Sequence, residues 1–157
     1  MESIYINPKY CIGCKNCQIY CAIAHSGKDN IFEAVGVMPT PKPRIFVEYV
    51  GVPIPIQCRH CASAPCMTSC PSNAIKREHG AVLIEKEKCI GCKACVMACP
   101  FGVMNIEEEN ENVKAFKCDL CNGKPACVEA CKTGAIKYGD ISTIVKYKRK
   151  EYLKKLL

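Results

Sequence analysis

The chain has 157 residues, enough for one compact domain or two small ones sharing a surface, and 16 of them are cysteine. The hydrophobic share of 49% counts those cysteines and falls to roughly 39% without them; with no tryptophan and 7% aromatics, this excludes an ordinary apolar core and calls for cross-linking by disulfides, zinc or iron–sulfur clusters. The formal charge of +7 counts every thiol as neutral, so it does not imply a nucleic-acid partner, and no recognition module accompanies the basic residues.

The first residues, Met1 to Asn7, carry no basic segment leading into an apolar one and no twin arginine. A cytoplasmic chain is therefore expected, and a reducing compartment argues for metal over disulfides. Cys11, Cys14, Cys17 and Cys21 follow, spaced C-x2-C-x2-C-x3-C. Residues 22–57 contain no cysteine; Pro39, Pro41 and Pro43 keep part of this stretch extended, and Arg44 to Val50 has strand character. The second group is Cys58, Cys61, Cys66 and Cys70, spaced C-x2-C-x4-C-x3-C. Ile75 starts a short strand, His79-Gly80 turns the chain, and Val82-Leu83-Ile84 returns as the partner strand. Cys89, Cys92, Cys95 and Cys99 restore the first spacing, and the polar run Glu107 to Asn112 reads as a loop. Cys118, Cys121, Cys127 and Cys131 form the fourth group, C-x2-C-x5-C-x3-C, and no cysteine is left over. In the tail, Lys146, Lys148, Arg149, Lys150, Lys154 and Lys155 stand against one acid, Glu151, while Tyr152, Leu153, Leu156 and Leu157 make a short helical stripe. No stretch approaches the roughly 18 apolar residues of a membrane helix.

A turn and an apolar pair follow Cys70, Cys99 and Cys131 alike, so the chain repeats a unit of loop, short helix and short strand. The x3 spacing puts the third and fourth cysteines of each group on one helical face. Pro71 and Pro100 stop that turn from growing. A C-x2-C-x2-C loop supplies three thiolates to one compact cubane and aims peptide N–H groups at its sulfurs, with Gly13 and Gly91 allowing close backbone approach. The fourth cysteine points away to a second cluster, the crossed pattern of two-cluster bacterial ferredoxins. Zinc knuckles use two distant C-x2-C pairs, often with histidine, and fit four complete quartets badly. Four [4Fe–4S] clusters on sixteen cysteines are expected. Each oxidised core with four thiolates carries −2, so four add about −8 and bring the chain near −1.

The quartets, Gln57 through Cys66 and Cys118-Asp-Leu-Cys121 resemble the four-cluster ferredoxin-type electron-transfer subunits of oxidoreductase complexes, including the beta subunits of the dimethyl sulfoxide reductase family. Ala22 to Ser26 and Pro43 to Val47 look most similar to the iron–sulfur partners of carbon monoxide dehydrogenases, with similar residues in the partners of formate dehydrogenases and hydrogenases. The resemblance covers the chain to about residue 138 and implies an α+β fold of two nested ferredoxin-like units. Residues 1–30 plus 111–141 form the outer unit, 31–52 an extended insertion with a strand, 53–110 the inner unit and 142–157 a basic C-terminal helix or tail. It also implies the cluster ligands: Cys11, Cys14, Cys17 and Cys131; Cys118, Cys121, Cys127 and Cys21; Cys58, Cys61, Cys66 and Cys99; Cys89, Cys92, Cys95 and Cys70. Ala22 and Lys132 depart from the family by standing where ferredoxins have proline.

His60 lies between two ligands and reads as a packing or hydrogen-bonding residue; His25 and His79 read as a helix end and a turn. Tyr5, Tyr10 and Tyr20 flank the first group as packing residues, and Lys15 and Lys93 as solvated ones. No phosphate loop, open metal position or nucleophile–base pair suggests an enzyme. The expected function is outer-sphere electron transfer between a catalytic subunit (carbon monoxide dehydrogenase, formate dehydrogenase or hydrogenase) and another redox partner, with the tail docking on a partner, mediating self-assembly or remaining solvated. A free diffusible polyferredoxin is the alternative, and a zinc scaffold the control.

Overall fold

In the computed structural model of the protein, which describes residues 2–109, 112–154 and 156, short elements alternate with the cysteine groups. Strand β1, Glu2–Ile6, pairs antiparallel with β8, Ile136–Asp140, from Glu2 opposite Asp140 to Ile6 opposite Ile136, so the two ends of the repeat array lie side by side. Helix α1, Asn16–Ala24, carries Cys17 and Cys21 on its buried side. Helices α3 (Pro65–Thr68), α4 (Ala94–Ala98) and α5 (Ala126–Glu129) are single turns carrying Cys66, Cys95 and Cys127. The expected hairpin follows the second group: β4, Ile75–Glu78, pairs with β5, Ala81–Ile84, in a register that sets Ile75 against Ile84.

Two expectations are corrected. The stretch read as an extended insertion contains a helix, α2 (Ile31–Val35), because Asn30 caps it by accepting the Glu33 N–H at 3.0 Å. The strand within that stretch is β2, Ile45–Tyr49, which forms a hairpin with β3, Pro53–Gln57. The polar run Glu107 to Asn112, read as a loop, lies largely in a hairpin of β6, Asn105–Glu109, and β7, Asn112–Phe116; positions 110 and 111 fall outside the described residues. Glu107 stands opposite Lys114 and also pairs with Lys86 at 2.6 Å, while Ala115, opposite Ile106, is buried. A strand with one solvated face needs only that half-apolar pattern.

All four sheets are two-stranded and antiparallel, making a mixed helix-and-strand fold with little conventional core. Cysteines fill the gap. One cluster joins Ile4, Ile45, Val103, Leu120 and Ile136 to Cys17, Cys21, Cys58, Cys118 and Cys127; a second joins Ile75, Val82, Met104 and Ala115 to Cys95. The tail forms α6, Ile141–Leu153, whose first turn is capped by Asp140 accepting the Thr143 N–H at 2.6 Å. Its anchor is the lone acid: Glu151 accepts hydrogen bonds from Asn7 Nδ2 at 2.5 Å and Tyr5 Oη at 3.3 Å. Tyr152, Leu153 and Leu156 of the stripe are exposed, and Lys155 and Leu157 lie outside the described residues. Among the described residues no helix is long and apolar enough to cross a membrane.

Candidate metal centres

The loops of the first and third groups fold alike because their sequences do. In each, a glycine with positive φ (Gly13, 73°; Gly91, 69°) and a left-handed lysine at the helix N-cap (Lys15, 59°; Lys93, 64°) wind the backbone so that three cysteines converge. At Gly91 the requirement is absolute in space as well, since a Cβ there would run into the Val113 carbonyl of β7.

The sixteen cysteines, all free thiols, gather in four sets. Set I is Cys11, Cys14, Cys17 and Cys131, which line a cavity of about 310 Å³. Set II is Cys21, Cys118, Cys121 and Cys127, where burial and the neighbouring Cys118, Cys21 and Cys121 push the Cys127 thiol far above its usual range. Set III is Cys58, Cys61, Cys66 and Cys99 around a cavity of about 370 Å³. Set IV is Cys70, Cys89, Cys92 and Cys95 around another of about 370 Å³. The sets touch electrostatically in one order: Cys17 of set I acts on Cys127 of set II, Cys58 of set III on Cys118 of set II, and Cys66 of set III on Cys95 of set IV. At the two ends Cys14 and Cys92 are solvent-exposed, beside Ile12 and Ile90, which are 71% and 67% exposed.

Burial pushes the thiols of Cys17 and Cys95 up to about 11 and that of Cys118 up to about 12, with the other thiols of their sets adding to it. Gathered thiols without a cation resist ionisation, and a cationic iron core supplies the opposite field. Local donors favour the thiolate. Backbone N–H groups of Arg44, His60 and Ala115 donate to the Sγ atoms of Cys21, Cys58 and Cys89 at 3.2, 3.4 and 3.4 Å. At Cys70 and Cys131 burial is outweighed by a hydroxyl two residues on (Ser72, Thr133) and by the following backbone N–H groups, which hold both thiols below their usual range. Four converging sulfur donors and N–H groups aimed at sulfur fit a cubane.

Two polar groupings flank the sets, and neither was visible as such in the sequence. Asp119 accepts from His25 Nε2 at 3.2 Å, from the Cys121 N–H at 2.9 Å and from the Arg44 guanidinium. Burial opposes ionisation of both groups, but these donors hold the Asp119 carboxyl well below the usual range, and the carboxylate, with hydrogen bonds to Cys121 and Cys21, raises His25. His25 therefore does more than end α1, since Nδ1 also lies 2.7 Å from the Cys21 carbonyl. The second grouping is buried. His60 Nδ1 accepts the Val82 N–H at 3.0 Å, and burial together with the nearby Lys117 charge pulls its ring down to about 4. The Lys117 ammonium donates to the Val82 carbonyl and, at 3.0 Å, to that of Cys118. His79 occupies a positive-φ turn, and Tyr10 and Tyr20 are exposed.

Comparison with known proteins agrees with this chemistry. Residues 50–141 match the family described as a 4Fe-4S dicluster domain, and residues 8–24 match a 4Fe-4S binding domain. The chain is 42% identical over 156 residues to an iron-sulfur protein of Rhodospirillum rubrum, covering 88% of this chain and 82% of that one. It is 38% identical over 144 residues to the electron transport protein HydN of Escherichia coli (strain K12), covering 80% and 81%. It is 42% identical over 135 residues, 83% of this chain, to UacF of the same organism, a much longer protein carrying an oxidoreductase name, of which the match occupies 20%.

Proposed function

The chain belongs to the 4Fe-4S dicluster domain family, and we propose that it is a non-catalytic electron-transfer subunit holding four [4Fe–4S] clusters. It relays single electrons between a catalytic oxidoreductase subunit (a carbon monoxide dehydrogenase, a formate dehydrogenase or a hydrogenase) and another redox partner. When bound, such clusters supply outer-sphere one-electron chemistry, with potentials set by hydrogen bonds to sulfur, charge and burial. Cys11, Cys14, Cys17 and Cys131 hold the first cluster; Cys21, Cys118, Cys121 and Cys127 the second; Cys58, Cys61, Cys66 and Cys99 the third; Cys70, Cys89, Cys92 and Cys95 the fourth. The observation that carries this reading is the crossing within every set, where three cysteines of one group meet the fourth cysteine of another.

In this reading residues 1–30 and 111–141 form an outer ferredoxin-like unit around an inner one at 53–110. The β1–β8 pairing that closes the outer ends supports it, as do the β2–β3 and β6–β7 hairpins at the two passages between units. The order of the sets, with an exposed cysteine at either end, suits a wire whose two termini meet different partners. UacF supports a dedicated partner, since a chain of this kind occurs there within a longer protein of oxidoreductase name.

The test is anaerobic isolation from the native host. About sixteen iron and sixteen sulfide per chain are expected, with a brown absorbance that bleaches on reduction, and a catalytic subunit should co-elute in fixed proportion. Folded protein that is colourless and free of sulfide would falsify the cluster reading; full cluster content without any co-eluting subunit would favour the diffusible carrier.

A further inference from the structure

Lys117 is 4% exposed, yet no carboxylate pairs with it among the described residues. An ammonium in such a place is strongly disfavoured unless a negative charge lies near. Its two carbonyl partners come from different parts of the molecule, Val82 on the inner hairpin and Cys118 in set II, and its side chain lines the set III cavity with Cys58, Cys61, Cys66 and Cys99. The charge is felt there: burial raises the Cys66 thiol, and the Lys117 ammonium opposes that rise. His60 lines the same cavity at 7% exposure. Because Nδ1 accepts the Val82 N–H, the neutral ring carries its proton on Nε2, and that buried donor has no partner among the described residues.

The other sets lack this combination. The lysines lining the cavities of sets I and IV, Lys15 and Lys93, are exposed, and Lys114, which donates to the Cys89 carbonyl of set IV at 2.7 Å, is only half-buried and stands opposite Glu107. Beside set II, Arg44 and His25 are already matched by Asp119, and Lys117 reaches only the Cys118 carbonyl while its side chain lines the set III cavity.

We propose that Lys117 is the counter-ion of the cluster at Cys58, Cys61, Cys66 and Cys99, holding its reduction potential up so that an electron rests in the middle of the wire, with the His60 N–H as a second donor to the same site. This rests on the cluster reading above. With clusters bound, the set III core would gain the one electron that a neighbouring core loses, and no bond or proton would change. The added negative charge arises beside a buried cation that cannot be screened by solvent, so the reduced state gains more than the oxidised one.

The experiment is an EPR-monitored redox titration of the anaerobically purified full chain, wild type against Lys117→Met, Lys117→Gln and Lys117→Arg, with iron and sulfide counted for each. Wild-type protein lacking iron and sulfide would defeat the cluster reading itself, separately from this proposal. With clusters present, the Met and Gln variants should lower one transition by at least a tenfold change in its equilibrium, 59 mV for one electron, and leave the Arg variant close to wild type. Loss of one cluster from both neutral variants but not from the Arg variant supports the proposal equally, because Gln keeps donors to the carbonyls and lacks only the charge. A fully loaded neutral variant with unshifted potentials overturns it. So does an Arg variant that shifts, or loses the cluster, as the neutral ones do.

Discussion

Asp119 joins segments that are far apart in the chain. His25 is 94 residues away and Arg44 is 75, and both meet a carboxylate that also accepts the N–H of Cys121, a set II cysteine. Asp119→Asn leaves the Arg44 guanidinium without its counter-charge and weakens a charge-assisted bond, so a loss of about 1–3 kcal/mol is expected, towards the lower end because the carboxylate is partly exposed. The pH dependence has a definite sign. The folded carboxyl titrates below its unfolded counterpart, so its stabilisation is complete above about pH 4 and is lost as pH falls beneath that. Thermal melts should show the variant's deficit at neutral pH and its disappearance in acid; an equal deficit throughout would mean the charge plays no part. Gly91 makes the opposite case, a constraint legible from the Cys-Ile-Gly-Cys-Lys motif alone. Gly91→Ala should lose about a quarter of the iron, because the displaced loop cannot complete set IV. Gly51→Ala, with φ of 84° but nothing near the added methyl, should keep all of it at a cost of about 1–2 kcal/mol.

At the scale of elements, local signals were readable and distant ones were not. The β4–β5 hairpin announced itself through His79-Gly80 between the apolar pair Ala74-Ile75 and the apolar run Val82 to Ile84, and the one-turn helices through x3 cysteine spacing. The β6–β7 hairpin hid behind consecutive glutamates, since what stabilises them, Lys114 opposite Glu107 and Lys86 beside it, shows only once the strands pair and the segment before Cys89 comes alongside. Helix α6 shows the same limit. Its basic residues and apolar stripe left docking on a partner, self-assembly and solvation open; the stripe is exposed, and the contacts include Glu151 reaching Tyr5 and Asn7 some 144 to 146 positions earlier, with Lys137 over the Tyr147 ring and Lys148 over the Tyr5 ring. Glu151→Ala should destabilise the helix by about 1–2 kcal/mol, leaving Tyr5 on β1 and Asn7 just after it without their acceptor. Hydrogen exchange of the α6 amides should speed up while iron content stays at the wild-type level; slow exchange in the variant would show that other contacts hold the helix.

For the whole molecule, the cysteines are at once the candidate ligands and much of the interior, so cluster binding and folding become one equilibrium. Each cysteine group was legible by itself because it is local, whereas the meeting of distant groups came only from the family resemblance, since it depends on which strands close the fold. Set I unites Cys11, Cys14 and Cys17 with Cys131, brought over by the β1–β8 pairing that starts five residues later at Ile136. Cys131→Ala should therefore act on the first group and not on its own: it should remove the same EPR component as Cys11→Ala and spare the one removed by Cys127→Ala. Since the hydrophobic contacts left without iron are few, anaerobic chelation should abolish the circular-dichroism signal of strands and helices together, in one transition. If Cys131→Ala instead removed the component that depends on Cys127, the fourth group would be binding its cluster alone, and the two ends of the chain would have no cluster to hold them together.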